Sequence, residues 1–251
     1  MYQLKYDLIG KNSGDFRPKY KQPEQAYFLE CVENQLNKRN IYKVFSPHCQ
    51  MTTNVARIGD KEEKIITPWL IRTPPGFDGA MVTEPRTAIA IFNADCPVII
   101  LFDRQRGHLV LLHAGFRCLL PKDPKAPNIV STAFRDFKLD PSALEAFIGF
   151  GAGRCCYGID HHIKELDNQK IWPFLWKVEK GPRTGQKSLD LFNLARYRLR
   201  NQGLMESDIS VNYTCTACTG RNNDKNGQYY SNIYEGRDTG RNLVLAWFDT
   251  R

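Results

Sequence analysis

The chain has 251 residues, of which 42% are hydrophobic, 25% charged and 12% aromatic, a composition that argues against disorder, collagen and coiled coil. Its longest apolar runs, such as 98–102, are far shorter than the roughly 20 residues of a membrane span, and its start lacks an export signal, so we expect no membrane partner and a cytoplasmic location. The 35 Lys and Arg against 27 Asp and Glu give a net charge of +8, which suits a phosphorylated small molecule; because no nucleic-acid-binding motif or long basic block is present, we expect no nucleic acid as partner.

The hydrophobic pattern predicts a mixed α/β protein in which helices flank a mixed sheet. In chain order, it predicts a helix at 22–40, a strand at 42–45, an exposed loop with one short strand at 59–78, strands at 88–92, 98–103 and 108–113, a helix at 127–137, a strand at 144–149, a helix at 189–202, and strands at 209–214 and 243–248. Ser188 is the predicted N-cap of the last helix. Since no internal repeat or linker divides the chain, we expect a single domain over 1–251.

Two of the predicted strands, 98–103 and 108–113, have the loop length of a hairpin, in which facing residue numbers sum to about 211. Cys96 and His113 sum to 209 and should therefore lie almost opposite each other, with Cβ atoms roughly 5–7 Å apart. A thiolate and an imidazole at this spacing are two ligands of one metal ion, a nucleophile and its base, or a buried cysteine beside a hydrogen-bonded core histidine.

Two further pairs of cysteines are not expected to bind metal or to take part in catalysis. Cys215-Thr216-Ala217-Cys218 has the spacing of half a zinc knuckle, but the sequence contains no second Cys-x-x-Cys, so we do not expect structural zinc there. Cys155 and Cys156 follow a glycine-rich turn, and we expect them to pack in the core rather than to take part directly in catalysis.

A series of short motifs runs from about residue 42 to residue 248: Pro47-His48-Cys49, Asp78-Gly79-Ala80-Met81-Val82-Thr83, Ala94-Asp95-Cys96-Pro97-Val98, His113-Ala114-Gly115-Phe116-Arg117-Cys118, Ile148 to Tyr157, Asp190-Leu191, Cys215-Thr216, Tyr229-Tyr230-Ser231 and Thr239-Gly240-Arg241. In content and order, this series resembles the laccase-domain or multicopper polyphenol oxidoreductase family, some members of which are described as purine nucleoside phosphorylases. The ordered series is more specific than any single motif.

The resemblance implies a single-domain laccase-type fold, which is also likened to the cytotoxic necrotizing factor group of cysteine deamidase toxins. It further implies a metal site formed by His48, Cys96 and His113. One thiolate and two imidazoles suit Zn²⁺ and leave a fourth position for water or substrate. Copper is the alternative cofactor, but with only five histidines in the chain we favour zinc.

The function that the resemblance implies is an enzyme acting on purine nucleosides, by phosphorolysis of adenosine or inosine and also by deamination of adenosine. Cys96, His113 and Asp95 would be catalytic, and Arg117 would contact phosphate or a developing anion. The alternatives are a copper-assisted polyphenol oxidase acting on phenolic substrates, a metal-free hydrolase built on Cys96 and His113, and a zinc-stabilised interaction module. The oligomeric state stays open, with a monomer expected.

Overall fold

The computed structural model describes residues 2–17, 24–59, 63–159, 172–179, 183–219 and 228–250. Its strands are β1 (Tyr2–Ile9), β2 (Lys43–His48), β3 (Val55–Arg57), β4 (Lys64–Ile65), β5 (Leu70–Pro75), β6 (Gly79–Val82), β7 (Thr87–Asn93), β8 (Val98–Asp103), β9 (His108–His113), β10 (Leu144–Gly149), β11 (Leu175–Lys177), β12 (Lys187–Leu189), β13 (Ile209–Val211) and β14 (Asn242–Thr250). Its α-helices are α1 (Glu24–Asn37), α2 (Phe116–Leu119), α3 (Ile129–Phe137), α4 (Leu191–Arg200), α5 (Thr216–Thr219) and α6 (Asn232–Glu235).

Most of the strands form two six-stranded mixed sheets. The first has the order β1-β14-β7-β2-β5-β4, and the second has the order β13-β10-β8-β9-β6-β3. In the first sheet β2 pairs in parallel with both β5 and β7, whereas in the second sheet the parallel pairs are β10 with β13 and β3 with β6. The remaining two strands, β11 and β12, form a separate antiparallel pair.

The two sheets pack face to face and share one apolar core. Phe45, Ile89 and Val244 of the first sheet meet Ile100 and Leu111 of the second in a single buried cluster. Helix α1 covers the other face of the first sheet, and α3 and α4 cover the other face of the second. The central strands are therefore buried on both faces, which explains why their sequences are continuous apolar runs rather than alternating ones.

The mixed α/β class and the three central strands predicted from the sequence are confirmed. The prediction of an exposed loop with a single short strand at 59–78 was wrong, since β4 and β5 both lie there. Leu70 is buried because β5 pairs in parallel with β2, aligning Leu70 with Val44. Because that pairing joins distant parts of the chain, the local hydrophobic pattern of residues 70–75 gives only a weak indication of a strand.

The predicted helix at 189–202 is present as α4, but its N-cap is Asp190 rather than Ser188. The Asp190 carboxylate accepts a hydrogen bond from the backbone N–H of Asn193 at 3.0 Å, which is the usual contact of an N-cap side chain. The predicted helix at 22–40 is present as α1, and residues 22–23 lie outside the described residues. In the described ranges, no helix has both the length and the apolar character that crossing a membrane requires.

Candidate functional site

The hairpin of β8 and β9 carries His113 at its open end. Asp103 closes the other end by accepting hydrogen bonds from the backbone N–H groups of Gln105 and Arg106, each at 2.9 Å, and Gly107 takes the positive φ of 67° that the turn needs. The strands pair with Val98 opposite His113, so the predicted register, in which facing residue numbers sum to 211, is confirmed.

Cys96 lies two residues before β8 and is one of the groups that raise the pKa of the His113 imidazole. The carbonyl oxygen of Pro97, the next residue, accepts from the backbone N–H of Ala114 at 2.8 Å, which places the loop of Cys96 beside the end of β9. The loop around Cys96 is fixed from two sides, because the Asn93 side-chain amide donates to the carbonyl oxygens of Cys96 and Phe150 at 2.7 and 2.9 Å. These bonds thus fix the backbone of the loop that carries Cys96.

Asp78 holds His113 from the adjacent strand. The His113 Nδ1–H donates to the Asp78 Oδ1 at 2.7 Å, and the backbone N–H of His113 donates to the Asp78 carbonyl oxygen at 2.7 Å. Since Nδ1 is committed to the carboxylate, the Nε2 atom is the ring nitrogen left for a metal ion or a proton. A carboxylate that fixes an imidazole in this way is common behind metal-ligating and catalytic histidines.

The Asp78 carboxylate is itself saturated with donors. It accepts from the backbone N–H groups of Gln50, Met51 and Thr52 at 3.0, 3.0 and 2.7 Å, and from the Thr52 hydroxyl at 3.0 Å. Burial favours the neutral acid, but the bond from His113 and these amides outweigh burial and lower the pKa of Asp78 to about 2. Asp78 is therefore an anion that positions the histidine.

Opposing effects act on the imidazole of His113. Burial disfavours its charged form, whereas its interactions with Cys96 and with the Asp78 carboxylate favour it, and together these interactions raise the pKa of His113 well above its ordinary value. The site therefore favours a protonated imidazole held against the Asp78 anion.

Asp95 has a different set of partners. Its carboxylate accepts from the Thr216 hydroxyl at 3.0 Å, from the Ser231 hydroxyl at 3.1 Å and from the backbone N–H of Ile233 at 2.8 Å. Burial raises the pKa of Asp95 to about 6 despite these bonds. Its backbone has a positive φ of 81°, a conformation costly for a residue with a side chain, so the tertiary contacts hold this loop in shape.

A cavity of about 180 Å³ opens beside Cys96. Asp95, Tyr157, Arg183 and Ile233 line it together with Cys96. Arg183 also donates to the carbonyl oxygen of Gly158 at 3.0 Å. The cavity therefore offers a thiol, an aromatic ring and a cation within one small space. A larger cavity of about 440 Å³, lined in part by Tyr6, Glu145 and Phe147, has no cysteine or histidine among its described lining residues.

Within the described ranges, one set of metal-ligand atoms includes His113. The Cys49 sulfur, an Asp78 carboxylate oxygen and a His113 ring nitrogen lie within 4.8 Å of one another, and sulfur, oxygen and nitrogen donors of these types bind zinc. Because Asp78 already accepts from several donors, the atoms of this set that fit a metal best are the His113 ring nitrogen and the Cys49 sulfur. The donor chemistry thus fits a metal ion held through His113 with Asp78 behind it.

His48 and Cys96 do not belong to that set. His48 ends β2, its backbone N–H donates to the Thr73 hydroxyl at 2.9 Å, and burial lowers the pKa of its imidazole, opposed by the charge of Asp78. The ligand set of His48, Cys96 and His113 stays a prediction.

Arg117 lies in α2, where its guanidinium stacks on the Phe116 ring with 4.6 Å between the guanidinium carbon and the ring centroid. The residues lining the 180 Å³ cavity include Arg183 and not Arg117. Neither Arg183 nor Tyr157 was singled out from the sequence as a site residue, and neither was Asp78, although Asp78 and Tyr157 stand inside the motif series.

Named relatives match the chain over part of their length. A purine nucleoside phosphorylase, YlmD, of Geobacillus stearothermophilus is 29% identical over 174 residues, covering 68% of this chain and 60% of the relative. A purine nucleoside phosphorylase of Xylella fastidiosa is 26% identical over 175 residues, covering 69% of this chain and 61% of the relative. A protein of an unknown prokaryotic organism called adenosine deaminase RL5 is 24% identical over 143 residues, covering 57% and 53%. The matched part of the chain thus spans about 60% of the first two relatives.

Solved structures share the fold. The crystal structure of the hypothetical protein YfiH of Bacillus licheniformis superposes with a TM-score of 0.77 at 19% identity, covering 98% of this chain and 92% of that one. YlmD of Geobacillus stearothermophilus superposes with a TM-score of 0.74 at 19% identity, covering 99% and 92%. The sequence model of one family matches residues 29–249, and the chain therefore belongs to the multi-copper polyphenol oxidoreductase laccase family.

Proposed function

We propose that the chain is an enzyme that cleaves the N-glycosidic bond of purine nucleosides by phosphorolysis, with deamination of adenosine as a second activity. The observation that carries the proposal is the placement of Cys96 beside the strand that bears the carboxylate-held imidazole of His113, next to a cavity lined by Cys96, Tyr157 and Arg183. The names of the relatives supply the substrate class.

We assign the metal site of this enzyme to His48, Cys96 and His113, with zinc as the ion and copper as the alternative. When bound, such an ion supplies Lewis acidity to the site. Asp78 fixes the imidazole of His113 through Nδ1, which sets the orientation of the ring and keeps Nε2 turned away from the carboxylate.

Phosphorolysis breaks the C–N bond between the ribose and the purine and forms a C–O bond to phosphate, while the purine leaves with a proton. The reaction needs a cation for the phosphate and a group that can hand over a proton. Arg183 lines the cavity and Arg117 follows His113 closely in sequence, so these two arginines are the candidate phosphate contacts. Asp95, with a pKa of about 6, can carry a proton near neutral pH.

The cavity favours a flat heterocycle as one part of the substrate. Tyr157 and Ile233 contribute aromatic and apolar surface to it, and burial raises the pKa of the Tyr157 hydroxyl, which therefore stays neutral. The volume of about 180 Å³ is below the range of roughly 300–1,000 Å³ typical of small-molecule sites, so the cavity accommodates one part of a nucleoside rather than the whole molecule.

The geometry also favours a second candidate, a metal-independent hydrolase. Cys96, His113 and Asp78 stand in the order of a nucleophile, its base and the group that orients the base, and this order recurs in unrelated hydrolases. In this alternative, Cys96 would attack the substrate directly and activity would not depend on a metal.

Turnover of adenosine and inosine, measured with and without phosphate, tests the proposal. We expect ribose 1-phosphate and free purine only when phosphate is present, and loss of activity with a chelator. The variants Cys96→Ser and His113→Gln should be inactive, whereas Cys31→Ala, which changes a buried cysteine in a separate core cluster, should retain activity.

Other products would identify another function. Free ribose formed without phosphate and in the presence of a chelator would support the hydrolase. Copper-dependent oxidation of a phenolic dye without nucleoside cleavage would overturn the proposal in favour of a polyphenol oxidase, and absence of turnover in a zinc-loaded protein would favour an interaction module.

A further inference from the structure

Four cysteines from two distant parts of the sequence meet beside the candidate site. The sulfur atoms of Cys155, Cys156, Cys215 and Cys218 all lie within 4.8 Å of one another, and all four are free thiols. The Cys218 sulfur is 3.4 Å from that of Cys155 and 3.5 Å from that of Cys156. The expectation of no structural zinc at Cys215 and Cys218 rested on the lack of a second Cys-x-x-Cys, and here a vicinal pair takes its place.

A parallel bridge brings the two pairs together. Gly151 pairs with Cys215, and the backbone N–H of Thr216 donates to the Gly151 carbonyl oxygen at 3.0 Å. The turn that follows β10 is thus aligned with the start of α5, so that the vicinal pair faces the Cys-x-x-Cys.

We propose that Cys155, Cys156, Cys215 and Cys218 bind one zinc ion in a four-thiolate site that is separate from the His113 site. Zinc bound by four thiolates is tetrahedral with Zn–S bonds of about 2.3 Å, which places the sulfurs about 3.8 Å apart. The observed distances of 3.4 and 3.5 Å, with all four sulfurs inside 4.8 Å, are close to that spacing. Only small side-chain movements separate this cluster from a metal-binding geometry.

Backbone donors provide a second, independent observation. The N–H of Gly153 points at the Cys215 sulfur at 3.1 Å, and the N–H of Cys218 points at the same sulfur at 3.4 Å. Hydrogen bonds from amides stabilise a sulfur that carries negative charge, and such contacts commonly surround the thiolates of metal sites. The cluster is thus prepared for at least one thiolate.

Metal binding explains the cluster without an oxidant. Each of the four thiols would release its proton to solvent on binding the ion, and no electron would be transferred. A disulfide within the cluster would instead need an oxidant and a sulfur separation of about 2.05 Å, well below the observed 3.4 Å. Tetrahedral sites of four thiolates hold zinc or iron. We favour zinc because it is redox-inactive and is the usual ion of structural four-cysteine sites.

The ligand-bearing segments also hold Asp95. Thr216, next to Cys215, donates its hydroxyl to the Asp95 carboxylate at 3.0 Å, and Ala152 donates its backbone N–H to the Asp95 carbonyl oxygen at 2.6 Å. An ion that tied the turn to α5 would therefore fix the loop that carries Cys96. The role of this second ion is structural support of the candidate active site.

Metal counting on the purified full chain, kept reduced and supplied with zinc, tests the proposal. A double variant, Cys96→Ser with His113→Gln, should still bind one zinc per chain, with four sulfurs around it by X-ray absorption. Cobalt substituted into this variant should show the thiolate-to-cobalt charge-transfer band of a tetrahedral site. Because this background lacks two of the three predicted active-site ligands, the result does not depend on whether the proposed function is correct.

Exchange of single ligands sharpens the test. In the double-variant background, Cys218→Ser should lose the bound ion, Cys218→His should retain it with three sulfurs and one nitrogen, and Cys31→Ser should leave it unchanged. If Cys218→Ser does not fold, the number of sulfur atoms that X-ray absorption finds around zinc in the double variant tests the proposal instead. The proposal is overturned if reduced protein with intact cysteines binds no thiolate-coordinated metal, if mass spectrometry finds a native disulfide among the four, or if the site holds iron in place of zinc.

Discussion

His113 and Asp78 are joined twice, by their side chains and by their main chains, with 2.7 Å from Nδ1 to Oδ1 and 2.7 Å from the backbone nitrogen to the carbonyl oxygen. The two bonds fix both the position and the rotation of the imidazole, because the main-chain bond places the residue and the side-chain bond turns the ring. The histidine is therefore oriented before any substrate or metal binds.

Asp78→Asn should damage both stability and activity. The new amide group would point an N–H₂ at backbone N–H donors, and a buried ionic contact would be broken, at a cost of about 3 kcal/mol in the free energy of unfolding. Turnover per folded molecule should fall roughly 10- to 100-fold, as for other groups that orient a ligand or base.

Chemical denaturation and nucleoside turnover measure these two effects separately. The matched control is Asp249→Asn, which weakens the ion pairs of Asp249 with Lys5 and Arg86 at the surface and should change stability by at most about 1 kcal/mol with full activity. Unchanged turnover in folded Asp78→Asn protein would show that Asp78 does not position His113.

Gly151 should tolerate no side chain. A Cβ built there would lie 2.6 Å from the nitrogen and 2.7 Å from the Cα of Pro97, and backbone atoms cannot swing aside. We expect Gly151→Ala to lower the free energy of unfolding by about 1–3 kcal/mol and to reduce turnover, because the strain reaches the loop of Cys96. Gly153→Ala is the control, since its Cβ meets nothing closer than 3.5 Å; equal effects of the two variants would contradict this account.

The centre of β8 should be among the most sensitive positions for stability. Ile100 is fully buried between the two sheets, so Ile100→Ala should lower the free energy of unfolding by about 2–5 kcal/mol. Ile65→Ala removes the same atoms from a residue that is 72% exposed and should cost less than about 0.5 kcal/mol. Urea unfolding of both variants checks the difference, and similar losses would refute the face-to-face packing of the sheets.

The hairpin of β8 and β9 could be predicted because the features that determine it lie close together in the sequence. Loop length and strand composition place Val98 opposite His113, and the position of Cys96 near the imidazole follows from counting residues. Asp78 could not be found in this way. It meets His113 only because β6 pairs with β9, aligning Gly79 with Leu112, and nothing in the local sequence predicts which strands become neighbours.

The four-cysteine cluster shows the same limit. The Cys-x-x-Cys at 215–218 is visible in the sequence, but its partners at 155–156 come near it only through the bridge between Gly151 and Cys215. A vicinal pair has no recognised metal-binding spacing, so the sequence alone favoured core packing. The four sulfurs are brought together by tertiary structure rather than by a motif.

The last prediction separates the two candidate phosphate contacts, Arg117 and Arg183. A charge-assisted hydrogen bond to an anion contributes about 1.5–3 kcal/mol, and each 1.4 kcal/mol is tenfold in affinity. If Arg183 holds phosphate at the cavity, Arg183→Gln should raise the KM for phosphate about 10- to 100-fold, and Arg183→Lys should restore part of it, since Lys keeps the charge but loses the paired donors.

Arg117→Lys gives the complementary measurement. If Arg117 contacts the anion, turnover should fall while the melting temperature stays nearly unchanged. If its role is structural, through contacts that include its stacking on Phe116, the melting temperature should fall while the KM for phosphate stays the same. The cavity lining favours Arg183, so we expect the larger phosphate effect there. Full phosphorolysis at limiting phosphate in both variants would exclude both arginines from phosphate binding.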